Sequence, residues 1–306
     1  MADAPPKTAR EQLSDSATIN GYKLGSFAAR ALPGPLAAAA AQMMGLTFSA
    51  GMREKRLTIE RHLKRVDPTL KGLALRRTVQ RAFDSYARYY VESFRLPSLS
   101  ARTVDRGFSI EGFHHVTDAL DAGTGVILAL PHLGGWEWAG RWLVEQGFKM
   151  TVVVEPIEPV EVFEWFTELR AKLGMIVVPL GPQAAPAISK ALKENQAVCL
   201  LCDRDIDRRG IPVQFFGETT TLPAGPAMLG LRTRAPIIPV GCYFTDRYNG
   251  HHAVCRPPVP AERQGGLRDD VARVTQLLAV ELEHLIREAP EQWHLFQPNW
   301  PSDPGY

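Results

Sequence analysis

Short apolar segments alternate with helical patterns through the part of the chain that follows Pro97. The apolar segments have the length of strands, and the segments between them repeat hydrophobic residues at the spacing of one helix face. The predicted strands are residues 108–111, 126–130, 151–154, 176–178, 198–202 and 237–241, and the predicted helices are 114–121, 136–146, 160–173, 184–195, 224–233 and 267–288. This alternation predicts an α/β fold with a mainly parallel central sheet and helices on both faces.

The region before the first predicted strand has a different pattern. Residues 1–20 are polar, and we expect them to form a disordered tail. Residues 21–306 are predicted to be a single α/β domain, in which residues 21–97 form a helical N-terminal part and residues 98–306 form the sheet core. A chain of 306 residues, 45% of them hydrophobic, is long enough to bury a large core.

Basic residues are concentrated in one region, although the net charge of the whole chain is only +2. Residues 53–95 contain twelve Lys or Arg against five Asp or Glu, a local excess of seven positive charges. Two interpretations stay open: a surface that contacts an anionic membrane, or an ordinary solvated helix face. No nucleic-acid-binding module accompanies the charge, so we expect no nucleic-acid partner.

The alanine-rich segment 31–48 is the nearest approach to a membrane-spanning sequence. Pro33, Gly34, Pro35 and Gln42 interrupt it, so we expect a helix that packs on the protein or lies on a bilayer. We recognise no secretory signal peptide at the N-terminus. The expected location is therefore the cytoplasmic face of the cell membrane, with peripheral or monotopic attachment.

Two of the four cysteines, Cys199 and Cys202, have a spacing that is also found in redox and zinc sites. No second pair supplies the other zinc ligands, and both residues belong to an apolar run. We therefore favour a buried strand, in which positions i and i+3 face opposite sides of the sheet. Free thiols of this kind are typical of a reducing compartment.

The leading candidate for chemistry is His132, which follows the apolar strand 126–130. Ligands of open α/β sheets bind at the carboxyl ends of such strands. Glu137 lies five positions later, and on one continuous helix the two side chains would point about 140° apart. They can meet only if Gly134 and Gly135 allow a turn between them. A carboxylate beside an imidazole holds its tautomer and stabilises the imidazolium.

Asp203 is an alternative partner for the same imidazole. It follows the predicted strand 198–202, and neighbouring parallel strands end side by side. From the sequence, the orienting role stays open between Glu137 and Asp203.

The histidine, the four intervening residues and the acid resemble the His-x4-Asp/Glu motif of glycerolipid-type acyltransferases. The wider pattern resembles the branch that contains bacterial lipid A acyltransferases and actinobacterial phosphatidylinositol mannoside acyltransferases. The further matching blocks, in the order of the family, are Asp203-Arg204-Asp205, Val213-Gln214-Phe215-Phe216-Gly217-Glu218, Leu222-Pro223-Ala224-Gly225-Pro226-Ala227, Ala235-Pro236-Ile237-Ile238-Pro239-Val240 and Pro290-Glu291-Gln292-Trp293-His294.

This resemblance implies direct transfer of a fatty acyl chain, expected to be palmitoyl, from acyl-CoA to a mannose hydroxyl of a glycosylated phosphatidylinositol. His132 is then the general base, and acyl-CoA is a co-substrate, with no cofactor and no metal. The chain has no Gly-x-Ser-x-Gly nucleophile motif, which agrees with direct transfer. The alternatives are a lipid A-type or other glycolipid acyltransferase, and a non-catalytic lipid carrier on the same scaffold.

Three charged residues are candidates for contacts with substrate. Glu155 follows a predicted strand, and by the resemblance it contacts the sugar acceptor. Arg170 either binds phosphates of CoA or of an inositol lipid, or is a solvated helix charge. Arg204 is a candidate substrate-binding residue, and we expect it to pair with a nearby carboxylate. Backbone N–H groups of Gly134 and Gly135 are candidate donors to an oxyanion.

Aromatic residues complete the candidate site. Trp136 either stacks on sugar, packs in the core or contacts a membrane surface. Phe215 and Phe216, together with the turn at residues 222–226, either line an apolar slot for the acyl chain or pack in the core.

Overall fold

The structure, a computed structural model, describes residues 9–306. The helices are α1 (Ala9–Ala31), α2 (Gly34–Gly51), α3 (Arg53–Val66), α4 (Gly72–Arg95), α5 (Ala101–Arg106), α6 (His114–Asp121), α7 (Trp136–Glu145), α8 (Val160–Lys172), α9 (Ala184–Lys193), α10 (Gly225–Thr233) and α11 (Leu267–Glu288). The strands are β1 (Phe108–Glu111), β2 (Val126–Leu130), β3 (Met150–Val154), β4 (Ile176–Pro179), β5 (Ala197–Leu201), β6 (Ile211–Phe215), β7 (Glu218–Leu222), β8 (Ile237–Phe244) and β9 (His251–Cys255).

Seven strands form one sheet in the order β1-β9-β8-β2-β5-β3-β4. The five strands from β8 to β4 are parallel to one another. Strand β9 runs antiparallel to β8, and β1 runs parallel to β9. Strands β6 and β7 form a separate antiparallel hairpin. The predicted fold class, α/β with a mainly parallel central sheet, is confirmed.

The central strand β2 is buried on both faces along its whole length. Ile127 and Ala129 pack in a core cluster that includes residues of α9, α10 and α11. Leu128 and Leu130 point to the opposite face and join a second cluster with residues of α6, α7 and α8. Helices therefore cover both faces of the sheet, as the continuous apolar run of β2 predicts.

Helix α1 covers residues 9–20, for which a disordered tail was predicted, so the prediction was wrong for that part of the chain. Residues 1–8 of the expected tail lie outside the described residues. Ile19 is buried in this helix, and the ring of Tyr22 contacts Phe94 of α4 and Phe166 of α8. Burial of a few apolar side chains against neighbouring helices stabilises a segment whose composition is mostly polar.

Helix α2 is uninterrupted and contains no charged residue. Pro33 and Pro35 mark its first turn, where a missing N–H costs no hydrogen bond. Ala37 and Ala41 are buried on one side, whereas Leu36 and Met43 are exposed on the other. None of the helices within residues 9–306 combines the length and the apolar character needed to cross a bilayer.

The cysteines of the 197–202 run are buried and unpaired. Cys199 belongs to the core cluster on one face of the sheet, and Cys202 belongs to the cluster on the other face. Burial raises the pKa of the Cys199 thiol to about 12. The two thiols are therefore core side chains, as the strand pattern predicts.

Candidate active site

Three adjacent strands bring the main candidate residues to one edge of the sheet. Leu130 of β2 is paired with Leu201 of β5, and His132 and Asp203 each follow two residues later. Strand β3 lies on the other side of β5, and Glu155 follows its last residue. The parallel register therefore places these three side chains at the same carboxyl edge, where α/β sheets bind ligands.

His132 and Asp203 form a direct hydrogen-bonded pair. The distance between Nδ1 of His132 and Oδ1 of Asp203 is 2.6 Å, and the backbone N–H of His132 donates to Oδ2 at 3.0 Å. Asp203 is fully buried, whereas the side chain of His132 keeps 18% of its surface exposed. Because Nδ1 is engaged by the carboxylate, Nε2 is the ring nitrogen that remains available to take a proton.

The surroundings of Asp203 keep its carboxylate ionised. Burial raises the pKa of Asp203, but the charge of His132 and hydrogen bonds from His132 and Trp293 outweigh burial and lower the pKa to about 2. The Trp293 indole N–H donates to Oδ2 at 2.7 Å, and the Asn299 amide donates to the backbone carbonyl of Asp203 at 3.2 Å. These contacts fix the carboxylate against the imidazole.

Glu137, the acid of the sequence motif, has different partners. It is buried in the first turn of α7, and its Oε1 lies 2.5 Å from Nη2 of Arg170. The Tyr89 hydroxyl donates to the same oxygen at 3.2 Å. Within residues 9–306 the hydrogen bonds of the Glu137 carboxylate go to Arg170 and Tyr89, and none joins it to His132. Of the two carboxylates left open by the sequence, Asp203 is the one that contacts the imidazole.

A cavity of about 590 Å³ opens beside this pair. His132, Trp136, Glu137 and Arg170 line it, whereas Asp203 lies behind the imidazole. Most of the remaining wall is apolar and comes from both faces of the sheet: Met150, Val152, Val153, Phe163, Phe166, Met175, Leu180, Ile188, Leu200, Ile206, Pro223, Pro226 and Leu229. The site thus joins a histidine–carboxylate pair to a largely apolar chamber.

Two charged residues at the cavity pair with each other. Nη2 of Arg204 lies 2.5 Å from Oε2 of Glu155, and both side chains are partly exposed. Arg204 therefore pairs with a nearby carboxylate as expected, and that carboxylate is itself a predicted sugar contact. Trp136 is half-buried and lines the cavity, with its ring stacked on Tyr89 at 4.2 Å and edge-on to the His132 ring at 5.6 Å.

Phe215 and Phe216 are not part of the cavity wall described by residues 9–306. Phe215 is fully buried and stacks on Trp300, and Phe216 packs against Trp293. Of the two alternatives that the sequence left open for these rings, the structure shows core packing, because the β6–β7 hairpin turns both rings into the core. Residues Pro223, Gly225 and Pro226 of the adjacent turn do line the cavity.

One of the expected oxyanion donors is already occupied. Gly134 adopts a φ of +57°, and a Cβ there would lie 2.2 Å from the carbonyl oxygen of Cys242. The turn after His132 thus requires glycine at this position. The backbone N–H of Gly134 donates to the carbonyl of Gln292 at 2.9 Å, so it is not free for a substrate oxygen.

Sequence reasoning missed two residues of the segment after α11. Trp293 holds Asp203, and the backbone N–H of His294 donates to the carbonyl of His132 at 2.7 Å. Both belong to a block, residues 290–294, that carried part of the family resemblance. The resemblance of that block to the family could have drawn attention to both residues. Their contact with the strand ends could not be predicted, because the block is far from residues 132 and 203 in sequence.

Together these features define a class of protein. An imidazole held by a buried carboxylate, with one nitrogen free beside a largely apolar chamber, suits an enzyme that activates a hydroxyl group towards an apolar substrate.

Comparison with known proteins gives the family. Residues 16–302 match the profile of the bacterial lipid A biosynthesis acyltransferases. The chain is 36% identical to a phosphatidylinositol mannoside acyltransferase of Mycobacterium tuberculosis (strain H37Rv), over 97% of this chain and 93% of the relative. It is 34% identical to a protein of the same name from Mycolicibacterium smegmatis, over 96% and 95%. The chain belongs to the lipid A biosynthesis acyltransferase family and is an acyltransferase.

Proposed function

We propose that this acyltransferase moves a long fatty acyl chain, palmitoyl in the first instance, from acyl-CoA to a mannose hydroxyl of a phosphatidylinositol mannoside. The observation that carries the proposal is the His132–Asp203 pair, with a 2.6 Å bond at Nδ1 and the opposite ring edge left to the cavity. The names of the relatives from M. tuberculosis and M. smegmatis support the choice of acceptor.

In the proposed reaction, Nε2 of His132 takes the proton of the mannose hydroxyl as its oxygen attacks the thioester carbonyl. The new C–O bond forms, and the tetrahedral intermediate collapses with cleavage of the C–S bond. The imidazolium then returns the proton to the departing thiolate, which leaves as CoA. Asp203 stabilises the transient positive charge on His132 and never needs to accept the proton itself.

The cavity wall offers side chains that suit each of the two substrates. Its apolar residues suit a long acyl chain, because burial of each methylene is worth about 0.8 kcal/mol. The polar side chains that also line it, Glu155, Arg204 and Trp136, suit the hydroxyl groups and the ring face of a sugar. Arg170 is already paired with Glu137, so its proposed part is to hold that buried acid beside the site rather than to bind a free phosphate.

The acceptor lies in a membrane, so we further propose that the enzyme works as a peripheral protein on the cytoplasmic face. Support comes from the exposed apolar side chains of α1 and α2, including Leu24, Phe27, Met43 and Leu46. The neighbouring sequence, residues 53–95, carries the local excess of basic residues. Such a combination suits an interface with anionic lipid.

The test is product analysis by mass spectrometry with the purified chain and palmitoyl-CoA. Three acceptors are offered in parallel: a phosphatidylinositol mannoside, unglycosylated phosphatidylinositol and a lipid A precursor. We expect one added palmitoyl mass on the mannoside and stoichiometric release of CoA. Acylation of the lipid A precursor alone would favour the lipid A-type alternative. Tight binding of palmitoyl-CoA with no CoA release would favour the non-catalytic carrier.

A further inference from the structure

A second histidine lies beside His132 in the same cavity. His294 is 6% exposed, and its ring packs against both members of the stacked Tyr89–Trp136 pair, with its centroid 5.6 Å from each of their ring centroids. Its backbone N–H is bonded to the carbonyl of His132, so the positions of the two histidines are directly linked. His294 is among the residues that line the cavity.

The hydrogen bonding of His294 is incomplete. Nε2 lies 2.8 Å from Oγ of Ser85 on α4, which is buried as well. Nδ1 is buried, and it has no hydrogen-bond partner among the residues that the structure describes. The Ser85 hydroxyl has one hydrogen and no other described acceptor than Nε2. If Ser85 donates to Nε2, the ring hydrogen of the neutral imidazole must be on Nδ1.

A buried polar group without a hydrogen-bond partner is unusual in folded proteins, and a catalytic role is one of the recognised reasons for it. The reaction needs such a donor, because negative charge develops on the thioester oxygen during attack. The backbone N–H of Gly134 cannot serve, since it is bonded to Gln292.

We propose that His294 is a further catalytic residue, whose Nδ1–H donates a hydrogen bond to the thioester oxygen as that oxygen becomes negative. This inference rests on the proposed acyl transfer. His294 keeps its proton throughout, so the proton balance between the hydroxyl, His132 and the departing thiolate is unchanged.

A neutral imidazole can fill this part only if it does not become charged itself. Burial, together with the charge of the neighbouring His132, lowers the pKa of His294 to about 3. His294 therefore stays neutral while His132 takes up a proton. The two histidines thus have different roles: His132 transfers the proton, and His294 stabilises the oxyanion.

Two substitutions separate this role from a purely structural one. Asn places an amide near the position of Nδ1, and Gln places one near the position of Nε2. We expect His294→Ala to lower kcat for CoA release by about 10²–10³, the usual effect of losing one oxyanion donor, with KM changed only a few-fold. His294→Asn should restore much of that loss, whereas His294→Gln should not.

His252→Asn serves as a matched control, because His252 lies on β9, is bonded to Ser109 and does not line the cavity. Rescue by Gln and not by Asn would overturn the proposal, since it would mean that only the bond to Ser85 matters. Turnover of His294→Ala within a few-fold of wild type would also overturn it.

A measurement that does not need turnover keeps this inference separate from the proposed function. In ¹⁵N-histidine NMR spectra we expect the Nδ1 of His294 to be protonated, and its resonance to shift on addition of a non-hydrolysable thioether analogue of palmitoyl-CoA. Ser85→Ala should weaken the preference for that tautomer. A His294 that is protonated only at Nε2, or that does not respond to the analogue, would contradict the inference even if acyl transfer is established.

Discussion

Glu137 and Arg170 form a buried ion pair, with 2.5 Å between Oε1 and Nη2. The acid of the His-x4-Glu motif thus faces a guanidinium, while the imidazole of the motif is held by a residue 71 positions further along the chain. The motif therefore has two separate structural roles. It positions the histidine, and its glutamate anchors the start of α7 to α8. This division leads to opposite predictions for the two carboxylates.

Asp203→Asn should impair catalysis much more than folding. The amide cannot stabilise the imidazolium and favours the wrong ring tautomer, so we expect kcat to fall by about 10²–10⁴ with little change in KM. Steady-state CoA release measures this effect, and a thermal melt serves as the folding control. Full turnover in a folded Asp203→Asn protein would show that Asp203 does not orient His132.

Glu137→Gln should act mainly on stability. It leaves the Arg170 charge buried without its partner, which typically costs about 3–5 kcal/mol in free energy of unfolding. Urea unfolding measures that cost. The double variant Glu137→Gln/Arg170→Met removes both charges and should recover most of the loss. If the double variant is no more stable than the single one, the ion pair is not what Glu137 contributes.

Stability should fall in mild acid because of His294. Its pKa is about 3 in the folded protein and near 6.5 when unfolded, so the unfolded state takes up the proton first. The free energy of unfolding is therefore unaffected by this histidine above pH 6.5, and it decreases as the pH falls from 6.5 towards 3. Between pH 6.5 and 5 we expect the free energy of unfolding to fall by about 2 kcal/mol because of His294. Urea unfolding at both pH values should give a smaller difference for His294→Asn, and an equal difference would contradict this assignment.

Acyl-chain length should depend on the cavity wall and not on Phe216. Ile188→Phe adds volume inside the cavity and should shift the preferred donor to shorter acyl-CoA, measured as kcat/KM across C8 to C18 donors. Phe216→Leu is the matched control, because that ring packs on Trp293 outside the cavity. It should lower stability and leave the length preference unchanged. A changed acyl-length preference in Phe216→Leu, with none in Ile188→Phe, would mean that the acyl chain binds outside this cavity.

Much of the sheet could be predicted from sequence because its central strands are buried on both faces. Strand β2 was predicted with its observed ends, residues 126–130. Strands β6, β7 and β9 were missed. Residues 218–222 are rich in threonine, and β9 contains His251 and His252, so neither forms a continuous apolar run. Their strand conformation depends on partners that local sequence does not reveal.

The site shows the same contrast between residues that local sequence reveals and contacts that depend on the assembled fold. His132 was recognisable because it ends an apolar strand, and Asp203 was an open alternative for the same reason. The choice between Asp203 and Glu137 depends on strand order, which places β5 beside β2. The contributions of Trp293 and His294 depend on a C-terminal segment that returns to the strand ends. Contacts over such separations follow from the assembled fold and not from any local pattern.

The central claim is that His132, held by Asp203, is the general base for acyl transfer, and the turnover of His132→Ala tests it most directly. The measurement is kcat for palmitoyl transfer from palmitoyl-CoA to a phosphatidylinositol mannoside, with circular dichroism and a melting curve to verify the fold. We predict a loss of about 10²–10⁴ in kcat, with palmitoyl-CoA still bound. A folded His132→Ala protein that transfers palmitate within a few-fold of the wild-type rate would contradict the mechanism.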